Sequence, residues 1–297
     1  MSTPAGPQIL VQLHGGLGNQ MFQAAAGLAL ANRLDGGLAF DLSRFRRESL
    51  RAYALGPLPI AQAAGEAGRP GLAERLRAKA GKLVGGSGIK RPAGWRGAVH
   101  VEGSFHYDPR FASLGDDTLL AGFFQSPRYF AGAEDRVRAA FDARCALSAS
   151  AAVQAQSLVE QESVAVHIRR GDYAGDAEAG RVHSVLDDAY YERALNLVRR
   201  IAPQVRIKVF SDDPAIAAQK AQAWQGEVVA GSSALEDLWL MSRCRHHIIA
   251  NSSFSWWSAW LDERASGLII APRNWFSREK QLTTYVGDLF PDGWILL

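Results

Sequence analysis

The chain has 297 residues, 47% apolar and 21% charged, enough for one large α/β core or two of ordinary size. A net charge of +3 excludes a molecule that holds nucleic acid by bulk electrostatics. The two cysteines, Cys145 and Cys244, fit no metal-ligand spacing, and two buried free thiols are expected rather than a disulfide.

Met1 to Pro7 lacks the basic region and apolar run of a secretory signal. No stretch approaches the roughly 18 apolar residues of a membrane span, so a soluble, cytoplasmic protein is expected, one that at most visits the inner face of a membrane. Gln8 to Leu13 is rich in strand formers, and a glycine turn, His14 to Gly18, follows it. Asn19 to Leu34 is rich in Ala and Leu and free of proline, which predicts a helix. Gly37 to Phe40 is a second strand, ending at Asp41, and the three pieces make a parallel βαβ unit. Between Arg69 and Arg96, within a glycine- and proline-rich insertion near 65–97, eight basic residues stand against the single acid Glu74. The favoured reading is a solvated insertion with one helix from Leu72 to Leu83. The other is a basic patch for anionic lipid or a pyrophosphate-linked acceptor.

Thr118 to Gly122 is a predicted strand, Pro127 to Ala143 a helix, and Ser148 to Gln161 a helix joining two halves. Beyond it, predicted strands at Val164–Ile168, Arg206–Phe210, His247–Ala250 and Leu268–Ala271 alternate with helices at Ala189–Arg200, Ala215–Trp224, Leu235–Cys244 and Ser253–Leu261. That rhythm predicts a parallel sheet covered on both faces.

Ligands of such sheets bind beyond the carboxyl ends of the strands, and four of those ends carry unusual residues. Gly15, Gly16 and Gly18, with Asn19 and Gln20, form either a tight turn or a backbone surface that a ligand can approach. Asp41 reads either as a helix N-cap or as a contact to a sugar hydroxyl. His167, Arg169, Arg170 and Asp172 place two guanidiniums after a buried strand. These suit a diphosphate, although Asp172 can equally hold one of them in place. Ser211, Asp212 and Asp213 precede Pro214, so one acid is expected to cap a helix and the cluster to recognise a nucleoside. Asn251, Ser252 and Ser253 open the last helix as caps or as an anion cradle, with Trp256, Trp257 and Trp260 in the core.

These strings, in this order, resemble glycosyltransferase family 11, the family of bacterial α-1,2-fucosyltransferases. Gly15–Gln23 resembles its amino-terminal signature, His167–Tyr173 its His-x-Arg-Arg-x-Asp motif and Phe210–Asp213 its second motif. The segments Leu235–Leu238 and Asn251–Trp257 resemble its third. The resemblance implies a GT-B-like α/β fold of two Rossmann-like parallel-sheet domains. Residues 1–156 would be the acceptor domain and 157–297 the donor domain. It also implies GDP-β-L-fucose as donor, a galactose-terminated oligosaccharide as acceptor, inversion, and no bound metal or cofactor; the basic run from Arg69 to Arg96 adds the reading that the acceptor is lipid-linked. By that analogy Arg169 contacts the donor β-phosphate, His167 and Asp213 lie near the nucleoside, and Asn19 sits beside the transferred sugar. Asp172, Asp176 and Glu178 are the candidates for a catalytic base. Transfer of another nucleotide sugar, or binding without turnover, are the competing readings.

Overall fold

The computed structural model describes residues 8–46, 51–66, 92, 95–170, 185–264 and 266–297. The expected helix from Leu72 to Leu83 and the residues Asp172, Asp176 and Glu178 lie outside them. The chain divides into two compact units, Met1–Asp142 and Ala143–Leu297.

The first unit contains β1 (Gln8–Gln12), α1 (Leu17–Arg33), β2 (Gly37–Asp41), α2 (Pro59–Ala63), β3 (Gly65–Glu66), β4 (Ala98–Val101), β5 (Thr118–Ala121) and α3 (Glu134–Ala140). Its strands form one parallel sheet in the order β3-β2-β1-β5-β4, with Val11 between Phe40 and Leu120. The predicted β1–α1–β2 unit is present. Alanines make α1 thin enough to lie close on the sheet, and Met21, Phe22, Ala24, Ala25 and Ala26 are fully buried. Sealing Phe22 alone contributes about 2 kcal/mol. The helix expected over Pro127–Ala143 is instead a 3-10 turn, Pro127–Phe130, followed by α3. Gly132, at φ 80°, separates the two.

The second unit contains α4 (Ala149–Glu160), β6 (Ser163–Ile168), α5 (Asp188–Ile201), β7 (Arg206–Ser211), α6 (Pro214–Trp224) and β8 (Glu227–Val228). It continues with α7 (Ala234–Ser242), β9 (His246–Ile248), α8 (Ser253–Trp260), β10 (Ile269–Ala271), α9 (Arg278–Thr283) and β11 (Ile295–Leu296). Its sheet runs β11-β10-β9-β6-β7-β8, again parallel throughout. Central β6 is buried along its whole length, as expected of a strand covered on both faces. Helix α4, which a division after residue 156 would cut, groups with this second unit. Ser148 N–H, at its start, donates to Glu236 Oε1 of α7 at 2.7 Å. Trp256 and Trp257 are fully buried and Trp260 nearly so. Cys244 is buried as expected, but Cys145 is exposed because it falls in a short 3-10 turn at the surface. Two Rossmann-like parallel-sheet units give the expected GT-B-like α/β class. Among the described residues no helix is long and apolar enough to cross a membrane.

Candidate functional site

In the second unit the strand order reverses between β6 and β9, the place where an open α/β sheet leaves a crevice beyond its strand ends. Arg169 and Arg170 leave β6 there, and Asn251–Ser253 lead from β9 into α8. The Arg170 N–H donates to Asp212 Oδ1 at 2.8 Å, while Arg169 Nη1 stands 3.9 Å from Asp212 Oδ2. Asp212 therefore ties the end of β7 to that of β6. Arg170 Nε is buried without a hydrogen-bond partner. Asp213 is the helix cap, accepting from Ala215 and Ile216 N–H, and its own N–H donates to Ser211 Oγ.

His167 is 4% exposed and its ring lies 5.6 Å from that of Phe254. Burial, helped by the Arg169 charge, pushes its imidazole down to about 3, so the ring is neutral, with Nδ1 unpartnered. Asn251 and Ser252 have clear structural duties. Asn251 Nδ2 donates to Trp275 O at 3.1 Å, and Ser252 Oγ accepts from Phe254 N–H to cap α8. Ser253 is half-buried at the helix start. Glu236, from the Leu235–Leu238 motif, accepts from Ser148 N–H, Ser232 N–H and Ser232 Oγ. These bonds, the Ser232 hydroxyl foremost, hold its carboxyl down at about 2. That acid braces the unit.

In the first unit the order reverses at β1, beside β5. Gly15 has φ 78°, a conformation glycine adopts without strain. Gly16 occupies the cap position of α1 with no side-chain cap, and a Cβ there would meet nothing within 4 Å. Gly18 is buried in the first turn of the helix, which carries no acid. Asn19 Oδ1 accepts from Gln125 Nε2 at 2.8 Å. Gln20 is fully buried and wholly committed, donating to Gly15 O and Ala52 O and accepting from Ala54 N–H. Asp41 opens a turn, not a helix, accepting from Gln12 Nε2 and Ser43 N–H.

His14 and Phe123 pack edge to face at 4.6 Å, and burial lowers the His14 imidazole to about 4. The contributions of Glu102, Phe123 and Gln125 to this end of the sheet were not visible in the sequence. They flank β4 and β5, four residues each, and β4 follows directly on the glycine-rich insertion, where no hydrophobic period marks it. Among the described residues no three His, Cys, Asp or Glu side chains are grouped to hold a metal ion.

Two parallel sheets with strand-order reversals, a glycine turn before α1 and an arginine pair after β6 define an α/β protein. A family model, Glycosyl transferase family 11, matches residues 107–297. An "Alpha-1,2-colitosyltransferase" of Escherichia coli is 31% identical over 97% of this chain and 98% of its own. The "O-antigen biosynthesis glycosyltransferase WbnK" of Escherichia coli is 36% identical over 46% of this chain and 44% of its own. The "Galactoside 2-alpha-L-fucosyltransferase Sec1" of Mus musculus is 32% identical over 33% of this chain and 28% of its own. The chain belongs to glycosyl transferase family 11 and is a glycosyltransferase.

Proposed function

We propose that this enzyme moves L-fucose from GDP-β-L-fucose to the 2-hydroxyl of a terminal galactose in one inverting displacement. The observation that carries the reading is the Arg169–Arg170 pair at the strand-order reversal of the second unit, in a chain of this family. Transfer to position 2 is the linkage that the whole-length bacterial relative and the mouse relative share by name.

Charge develops on the departing diphosphate. Arg169 and Arg170 are rigid, permanently charged donors that match phosphate oxygens, and the start of α8 at Ser253 adds its dipole. Asp212 keeps the pair in register. The neutral His167 ring, Ser211 and Asp213 serve the nucleoside end. The first unit serves the sugars: Gly16 leaves room for a ligand, Gly18 continues the glycine turn into α1, and the Asn19 amide, oriented by Gln125, meets the transferred sugar. Asp172, Asp176 and Glu178 remain the candidates for accepting the acceptor proton. The acceptor is a galactose-terminated oligosaccharide, lipid-linked if the basic run from Arg69 to Arg96 meets a membrane surface from the cytoplasmic side.

A second reading rests on the whole-length relative: the donor sugar is colitose, which is L-fucose without its 3-hydroxyl. Purified protein is incubated with lactose, EDTA and either GDP-fucose or GDP-colitose, and GDP release and product linkage are measured. A fucosyl-α-1,2-galactose product formed at the higher kcat/KM supports the first reading. Faster transfer of colitose replaces it with the second. No GDP release from either donor rejects both.

A further inference from the structure

At the carboxyl end of the edge strand β4, the Glu102 N–H donates to Ala121 O at 3.0 Å and extends the β4–β5 ladder by one bond. The Glu102 side chain folds over the end of β5. Its Oε2 accepts from Phe123 N–H at 2.7 Å and from Phe124 N–H at 3.0 Å, and its Oε1 lies 3.1 Å from the same Phe124 nitrogen. A Cβ on Gly122 would fall onto the Glu102 Cβ, so the close approach of strand and carboxylate needs a glycine. Phe124 has φ 53°, a left-handed conformation that costs a bulky residue about 1–2 kcal/mol unless something holds it. Two things do. The carboxylate grips its N–H, and its ring is fully buried edge-on against Tyr129 at 5.1 Å and beside Phe111 and His100.

The turn so formed has an outward product. Phe123 stands 41% exposed against the His14 ring, and Gln125, 8% exposed, puts its amide on Asn19. We propose that Glu102 is a positioning residue of the transfer reaction. Its carboxylate clamps the Gly122–Gln125 turn, and the turn sets the Asn19 amide. This rests on the reading above only for what Asn19 does to the sugar.

The clamp is titratable. Burial, with a smaller push from Asp108, raises Glu102 to about 7 against the N–H groups of Phe124 and Phe123 and the Tyr129 hydroxyl. Asp108 is itself paired with Arg110 at 2.6 Å and lies 3.7 Å from His100. Protonation removes accepting capacity from one oxygen, so the grip loosens as pH falls through 7.

The test compares full-length wild type, Glu102→Gln and Gln125→Ala. It uses kinetics at pH 6 and 8, calorimetric GDP titration, and hydrogen exchange of residues 122–126. Glu102→Gln is expected to lower kcat about 10- to 100-fold, as a misplaced group does, with GDP affinity unchanged and Phe123 and Phe124 amides exchanging faster. Wild-type kcat is expected to fall at pH 6, and the variant's not to. Gln125→Ala is expected to lose kcat while keeping those amides protected, which separates aim from mere folding. Wild-type kcat in Glu102→Gln at both pH values, or GDP affinity falling in step with kcat, overturns the proposal. If wild type turns over no nucleotide sugar, the function proposed above fails by itself. Exchange then decides for the clamp, and unchanged protection in Glu102→Gln ends it.

Discussion

Arg169 leaves β6 with its side chain 20% exposed and Nη1 standing 3.9 Å from Asp212 Oδ2. A planar, permanently charged guanidinium at this strand end matches the oxygens of a diphosphate. Arg169→Ala is expected to reduce kcat by about 10²–10³-fold, the usual loss for one transition-state donor. Arg169→Lys is expected to recover only part of that, since a point charge cannot reproduce the two-pronged contact. Steady-state rates at saturating donor check both. Its neighbour's position is enforced differently, by a backbone bond from Arg170 N–H to Asp212, so Asp212→Asn tests register more than charge.

Helix α1 shows how an element is fitted to its sheet. A Cβ on Gly27 would fall onto Val11 Cγ2 and press on Leu38 Cδ1, so the helix rests on β1 and β2 at a glycine. Gly27→Ala gains about 1 kcal/mol of helix propensity but is expected to lose about 1–3 kcal/mol to overpacking. A lowered Tm in thermal unfolding is the expected sign, and a raised one would show that the helix can retreat. Elements of this kind were legible. The Ala-rich stretch after the glycine turn, the continuous apolar run of β6 and the helix start at Pro214, with one of the two preceding acids as its cap, announce themselves within a few residues. The short pieces were not: α2, β3, β4 and β8 are too brief to show a period, and neighbours across the sheet, absent from the local sequence, make them strands or turns. Site residues divide in the same way. Motif residues such as Arg169 and Asn19 lie at the end of or within elements with a clear sequence signal, whereas Glu102 and Gln125 acquire meaning only when β4 and β5 pair. Which member of a cluster is committed to structure was also hidden, as with the fully engaged Gln20.

Across the whole molecule the two units respond differently to acid. His167 in the second unit is held neutral, with its pKa lowered to about 3. An unfolded chain binds a proton on histidine below about 6.5. Stability in that unit therefore falls as pH drops from 6.5, by roughly 2 kcal/mol at pH 5 from His167 alone. His246, whose pKa is also lowered by burial, adds to the fall, and Asp237, raised by burial, offsets part of it. In the first unit His14 and His100 act in the same sense. Glu102 opposes them: its raised pKa lets the folded state keep a proton that the unfolded chain releases between about 4.5 and 7, so acidification there adds stability. Outside the Gly122–Gln125 turn, whose clamp loosens as pH falls, hydrogen exchange at pH 7 and pH 5 is expected to show peptides of Ala143–Leu297 losing protection first. Equal loss in both units would contradict this balance.

Among the described residues the outermost strands β3, β8 and β11 are two residues each, and β4 reaches four. A border this short offers another chain almost no ladder of unpaired N–H and C=O groups on which to extend the sheet. The protein can thus carry two all-parallel sheets of apolar strands at high concentration with little opportunity for intermolecular strand addition. Among the described residues, the longest margin on which such growth would begin is Ala98–Val101.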